Sequence, residues 1–137
     1  MDNDILDVNE WILYAQGDYG LAIAMEKLRA DNPYATNGAC YHCQQSAEKI
    51  LKAYTIAKEG TRVKEHDLNM LLKQCIQHSP DFDGLKTACL ALNTHITKTR
   101  YPSGKKLTEI DMNEALQYAG QILEFTKSKL AEMGFDA

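Results

Sequence analysis

The stretch Lys98-Thr99-Arg100-Tyr101-Pro102-Ser103-Gly104-Lys105-Lys106 carries four positive charges and no acid, in a chain whose net charge is −4. Arginine makes planar two-point contacts to phosphate, tyrosine offers a ring for a base to stack on, and a Ser-Gly turn offers backbone donors. Arg100, Tyr101, Lys105 and Lys106 are therefore candidate ligands for a phosphate or a nucleotide. The plainer reading is a solvated basic loop, with Arg100 answering the dipole at the end of a helix.

Asp18 breaks an apolar pattern. It falls within the helical stripe set by Trp11, Ala15, Ala22 and Met25, where a lone carboxylate costs several kcal/mol or becomes neutral. It should have a cationic partner, and Lys49 and Arg100 are the candidates. A structural ion pair accounts for it as well as a functional role does. In Gln44-Gln45-Ser46-Ala47-Glu48-Lys49-Ile50-Leu51-Lys52, Gln44 and Glu48 fall on one edge of an apolar helical face and Lys49 on the other. Such edges meet neighbouring helices, so packing and hydrogen bonding are the default explanation, and organising a site is the functional one. His66-Asp67 either caps the helix that follows or faces the same site, where histidine could exchange protons near neutral pH.

Several chemistries are set aside. Of the four cysteines, Cys40, Cys43, Cys75 and Cys89, only Cys40-Tyr41-His42-Cys43 has metal-like or redox-like spacing, and no second such pair exists. The pair falls on a helix rather than at the strand-to-helix turn of a redox motif, so the thiols read as small core residues and no metal or other cofactor is expected. A phosphate-cradling glycine loop, a nucleophile elbow, a metalloprotease histidine pair and the Glu-x-x-His repeats of a metal bundle are all missing.

The elements that must position these residues are helices. Pro33, Gly60, Ser79-Pro80 and Pro102-Ser103-Gly104 punctuate the chain, and between them apolar residues recur with helical period. Helix one is expected from about Val8 to Ala30 behind an Asp7/Glu10 capping box, its stripe widened by Tyr14, Leu21 and Leu28. Helix two runs from about Asn37 to Lys58 with Cys43, Ala47, Ile50, Leu51 and Tyr54 inward, and helix three from about Asp67 to His78. Helix four opens at Ser79-Pro80 with Phe82, Leu85, Cys89, Leu92 and Ile96 inward, and ends near Arg100 because Pro102 disfavours helical geometry at Tyr101. Helix five follows Thr108, with Asp111 three residues on, and turns Ala115, Tyr118, Ala119, Ile122 and Phe125 to the core. Short connections predict an all-α, up-and-down bundle of four to five antiparallel helices. It is one domain over residues 1–137, with its core at about 7–132.

The totals agree. At 137 residues, 45% hydrophobic and 25% charged, the chain can bury a core without metal or disulfide staples. Its negative charge argues against nonspecific DNA coating or anionic-membrane binding. Met1-Asp2-Asn3-Asp4 does not open a signal peptide and no stretch is long enough to span a bilayer, so a soluble, cytoplasmic protein with no membrane partner is expected.

Read together and in order, these pieces resemble the HEPN family (higher eukaryotes and prokaryotes nucleotide-binding). The resemblance rests on Trp11-Ile12-Leu13-Tyr14-Ala15 with Asp18 and Ala22, and on Tyr41-His42-Cys43-Gln44-Gln45-Ser46-Ala47-Glu48-Lys49-Ile50-Leu51-Lys52-Ala53. His66-Asp67-Leu68 with Leu71-Leu72, and Arg100-Tyr101-Pro102, continue it to about residue 120. It implies a helical bundle, generally a homodimer, among relatives that cleave RNA or bind nucleotides beside a separately encoded minimal nucleotidyltransferase, as in toxin–antitoxin-like pairs. The cleaving members place a histidine after an arginine with four to six residues between. Here those places hold Lys105, Lys106 and Leu107, and Arg62 and His66 have only three residues between them. The leading expectation is thus a non-catalytic nucleotide- or RNA-binding module in which Arg100, Tyr101, Lys105 and Lys106 hold the ligand and Asp18, Gln44, Glu48, Lys49 and His66 organise the site. The alternatives are a ribonuclease that recruits His66 or His42, and a protein-interaction module with no nucleotide ligand.

Overall fold

A computed structural model describes residues 7–61, 64–99 and 107–137, with backbone alone at 96–99. The chain forms α1 (Val8–Leu28), α2 (Ala35–Glu59), α3 (Leu68–His78), a 3-10 helix (Pro80–Leu85), α4 (Lys86–Thr99) and α5 (Glu109–Glu132). No strand occurs among the described residues. This is the all-α bundle that the helical period and short connections predict.

Local chemistry sets most helix ends. The Asp7 carboxylate accepts from the Glu10 amide at 3.3 Å and starts α1. Asp67 accepts from Met70 at 3.1 Å and starts α3. At α5 the capping box is complete: Thr108 Oγ1 accepts from the Asp111 amide at 3.1 Å, and Asp111 Oδ2 accepts from the Thr108 amide at 2.9 Å. Each arrangement satisfies amides that a helix start leaves without an internal partner. Helix α2 stops at Gly60, whose φ of 70° is left-handed and whose amide reaches the Ile56 carbonyl at 2.7 Å. A side chain disfavours that conformation, so glycine is the fitting terminator.

Packing is organised around α2, which touches α1, α3, α4 and α5. Its inward residues Cys43, Ala47, Ile50, Leu51 and Tyr54 are buried as expected. An aromatic chain ties α2 to the far side of the bundle: Tyr54 to Phe82 with ring centroids 4.6 Å apart, then Phe82 to Phe125 at 5.0 Å. Helices α1 and α2 form an antiparallel hairpin, pinned where the buried Ser46 hydroxyl donates to the Ala15 carbonyl at 2.7 Å. Tyr19 Oη donates to the Leu116 carbonyl of α5 at 3.2 Å. Its ring crosses so close that a Cβ at Gly120 would lie 2.8 Å from Oη.

Two expectations are corrected. Helix four begins as a 3-10 turn, so Phe82 and Leu85 enter the core from a tighter winding than Cys89 and Leu92 do. On α1 the buried set is Val8, Ile12, Ala15, Asp18 and Ala22, whereas Tyr14, Leu21 and Leu28 are exposed. Helix α1 is apolar on two sides, and periodicity alone assigned both to the core. The Ile96 side chain, expected inward, lies outside the described residues.

Candidate functional site

The groove between α1 and α2 holds two knots of the same composition. In the first, Asp18 of α1 is buried, its Oδ2 accepting from Lys49 Nζ at 2.6 Å and its Oδ1 standing 2.9 Å from His42 Nδ1. In the second, Glu48 of α2 is buried, and its Oε2 meets Lys52 Nζ at 3.1 Å and His66 Nδ1 at 3.0 Å. Each carboxylate is thus held by one lysine and one histidine. Each ammonium also stands 5.7 Å from an α1 ring, Lys49 over Tyr14 and Lys52 over Trp11. That distance is within cation–π range.

The spacing explains why the knots form one row. His42, Lys49 and Lys52 recur on α2 at helical intervals, as do Trp11, Tyr14 and Asp18 on α1, so antiparallel packing sets one series against the other. A carboxylate accepts only, so Nδ1 carries the proton in both His42 and His66. Lys52 Nζ and His66 Nδ1 stand 3.3 Å apart, two donors brought together by one Glu48 oxygen rather than bonded to each other. Between them the knots hold two carboxylates and two ammonium groups, so the row is neutral before its histidines are counted. It serves to position side chains and gives little net attraction for an anion.

Of the residues expected to organise a site, Asp18, Lys49, Glu48 and His66 lie along this groove, and Lys49 is Asp18's cationic partner. Gln44, Glu48 and Lys52 lie deeper than the edge of the apolar face where the sequence put Gln44 and Glu48; all three are buried. Gln44 Oε1 accepts from Gln45 Nε2 at 2.9 Å. His66 has a side chain 76% exposed, so it is where the second knot meets solvent. Arg100, Tyr101, Lys105 and Lys106 lie outside the described residues.

Sequence reasoning missed the role of Lys52, the pairing of His42 with Asp18, and the two rings over the lysines. The helical spacing of 42, 49 and 52 was visible, but nothing local said which helix α2 would meet or in what register. It also passed over His95 on α4. That residue is buried, and among the described residues neither ring nitrogen has a hydrogen bond. Glu114 Oε1 lies 3.5 Å from its Nε2 without forming a hydrogen bond.

The cysteines sit in the core. Burial pushes the Cys43 and Cys75 thiols far above their ordinary range and the Cys89 thiol up to about 12. Thiolate is what binds metal or attacks a disulfide, so these three groups are chemically quiet in the folded chain. Among the described residues no group of three or more His, Cys, Asp or Glu could hold a metal ion, and no helix is long and apolar enough to cross a membrane.

A comparison with family models matches the HEPN domain over residues 8–130. The chain belongs to the HEPN domain family. The match takes in residues of all five α-helices and both knots, so the groove lies within the matched region. A search of curated proteins finds no match. Membership makes this HEPN domain a nucleotide- or RNA-related helical module, with substrate and partners left to the residues themselves.

Proposed function

We propose that this HEPN domain is a non-catalytic nucleotide- or RNA-binding module, homodimeric, and partnered with a minimal nucleotidyltransferase in a toxin–antitoxin-like pair. In this reading Arg100, Lys105 and Lys106 hold phosphate and Tyr101 offers a stacking face. Asp18, Gln44, Glu48, Lys49 and His66 brace the helices behind them. The observation that carries the reading is the second knot. It ends at exposed His66, and next to His66 α3 starts with the Leu68 amide donating to Asn93 Oδ1 of α4 at 3.3 Å. Arg100 follows α4 directly in the sequence, and α4 is the helix that touches this end of the groove.

Calorimetric titration of ATP and AMP into wild type and Arg100→Ala, at low and moderate salt, tests it. Saturable binding to wild type that salt weakens, and its loss in Arg100→Ala without a change in melting temperature, is the expected result. Equal binding to both proteins removes the proposed site, and no heat with either protein leaves a protein-interaction module as the better description.

One observation favours a second reading, an RNA-cleaving enzyme with a displaced histidine. His66 is exposed, and its Nδ1 is tied to a buried carboxylate, which fixes the tautomer with a lone pair on Nε2 in the neutral ring. His42 is held the same way by Asp18 but is more enclosed. RNA that stays intact through long incubation with concentrated protein, with and without added metal, rules this out; cleavage abolished by His66→Ala establishes it.

A further inference from the structure

Helix α1 carries a second apolar seam that, apart from the Lys49 ammonium 5.7 Å from the Tyr14 ring, nothing in the described chain covers. Tyr14, Gly17, Leu21, Ala24 and Leu28 follow one another at alternating intervals of three and four residues, the spacing of a helix–helix seam. All five are exposed, the large ones heavily: Tyr14 63%, Leu21 50% and Leu28 54%. Leu13, 52% exposed, widens the stripe. A helix that is apolar on opposite sides is one that is covered on both. The α2-facing side accounts for Ile12, Ala15 and Ala22 but not for this one.

Gly17 adds a separate point. A glycine within a helix costs up to about 1 kcal/mol against alanine, yet a Cβ at Gly17 would meet nothing within 4 Å. No contact inside the described chain calls for its smallness.

We infer that this seam is where a second copy of the chain packs, α1 antiparallel to the partner's α1 across a twofold axis. Self-complementarity supports this occupant. In an antiparallel seam the layers pair so that Tyr14 faces the partner's Ala24, and Leu21 faces the partner's Gly17. Two of the three large residues, Tyr14 and Leu21, then meet a small one, as interdigitating layers require, and a twofold axis makes each such contact twice. In the same register Leu28 falls beside the partner's Glu10.

Charge supports it independently. Between Glu10 and Glu26 the only charged side chain on α1 is Asp18, which is turned inward to Lys49. The acids Asp7 and Glu10 stand at the start of the helix and the bases Lys27 and Arg29 at its end. An antiparallel partner brings each acidic start to a basic end, with Glu10 flanked by the partner's Lys27 and Arg29. Arg29 also bonds Glu109 of its own chain at 2.9 Å, so Lys27 is the more available of the two. A parallel partner would set like charges together at both ends.

This inference rests on the homodimeric part of the proposed function and not on nucleotide binding. It is tested on the full chain by sedimentation equilibrium over a range of concentrations, for wild type, Leu21→Asp, Gly17→Leu and the pair Glu10→Lys and Glu10→Lys/Lys27→Glu. Wild type is expected at twice the chain mass of 15.4 kDa. Leu21→Asp and Gly17→Leu should raise the dissociation constant by about a hundredfold or more, since the twofold repeats each change. Gly17→Leu is the sharper probe, because the space around Gly17 lets the single chain keep its circular dichroism and melt no earlier than the wild-type monomer. Glu10→Lys should weaken the dimer and Lys27→Glu in the same chain should restore it. A wild type that stays monomeric at all concentrations overturns both the dimer and this face. A dimer untouched by Leu21→Asp and Gly17→Leu keeps the dimer and overturns the face.

Discussion

Replacing Lys52 by methionine probes the groove most directly. The Lys52 side chain is 5% exposed and that of its partner Glu48 9%, so this is a buried ion pair despite its i, i+4 spacing. Methionine keeps the length of the aliphatic stem and its packing against Trp11 but removes the charge. Glu48 then stays in the groove with His66 as its remaining partner among the described residues, and His66 faces water. Removing one partner of a buried pair typically costs about 3–5 kcal/mol, and contact with His66 and nearby solvent puts this case at the lower end, about 3 kcal/mol. A domain of this size has a total stability of about 5–15 kcal/mol, so the variant stays folded. In urea, with a slope of about 2 kcal/mol per molar, its midpoint should fall by about 1.5 M. The double variant Lys52→Met/Glu48→Leu removes both desolvation costs and should recover to within about 1 kcal/mol of wild type. Equilibrium urea unfolding followed by circular dichroism reads all of these, with protein concentration held fixed. A loss below about 1 kcal/mol for Lys52→Met, or a double variant worse than the single one, refutes the view of the pair as a coupled buried unit.

Three further outcomes follow from the same structure. Burial holds the Cys43, Cys75 and Cys89 thiols protonated when folded, while the unfolded chain releases those protons near the ordinary thiol value of 9.0. Their folded pKa values are raised, so their contribution is fully present below pH 9 and is lost as pH climbs toward the folded values. Stability should therefore fall above pH 9, by about 1.4 kcal/mol per thiol for each pH unit, and Cys89→Ala should flatten a plot of urea midpoint against pH. Thr108→Ala removes one half of the α5 capping box and should cost about 1 kcal/mol, seen as a melting temperature lower by a few degrees. Arg100→Ala should leave melting unchanged while abolishing nucleotide heats, which separates a binding role from a structural one.

The helices were legible because their causes are local. Asp7, Asp67 and Thr108 cap the amides of their own first turns, Gly60 supplies its own left-handed stop, and the period of Ile50, Leu51 and Tyr54 is set by helical geometry whatever lies opposite. The buried position of Asp18 was legible for the same reason: it interrupts a stripe, and desolvation demands a partner. Identity of residue types along the chain was also enough to point to the HEPN family.

Partnership was not local. That Asp18 takes His42 as well as Lys49, that Glu48 gathers Lys52 and His66 from an adjoining loop, and that Trp11 and Tyr14 roof the two lysines depend on the register of α1 against α2. Register is fixed by the summed packing of the hairpin, down to the Ser46 hydroxyl on the Ala15 carbonyl, and no short window of sequence contains it. The same limit explains the error on α1. Periodicity shows that Tyr14, Leu21 and Leu28 share a face, but it cannot say whether that face meets this chain's own core. Only the tertiary arrangement, by filling the opposite side of α1 with α2, left that face outward.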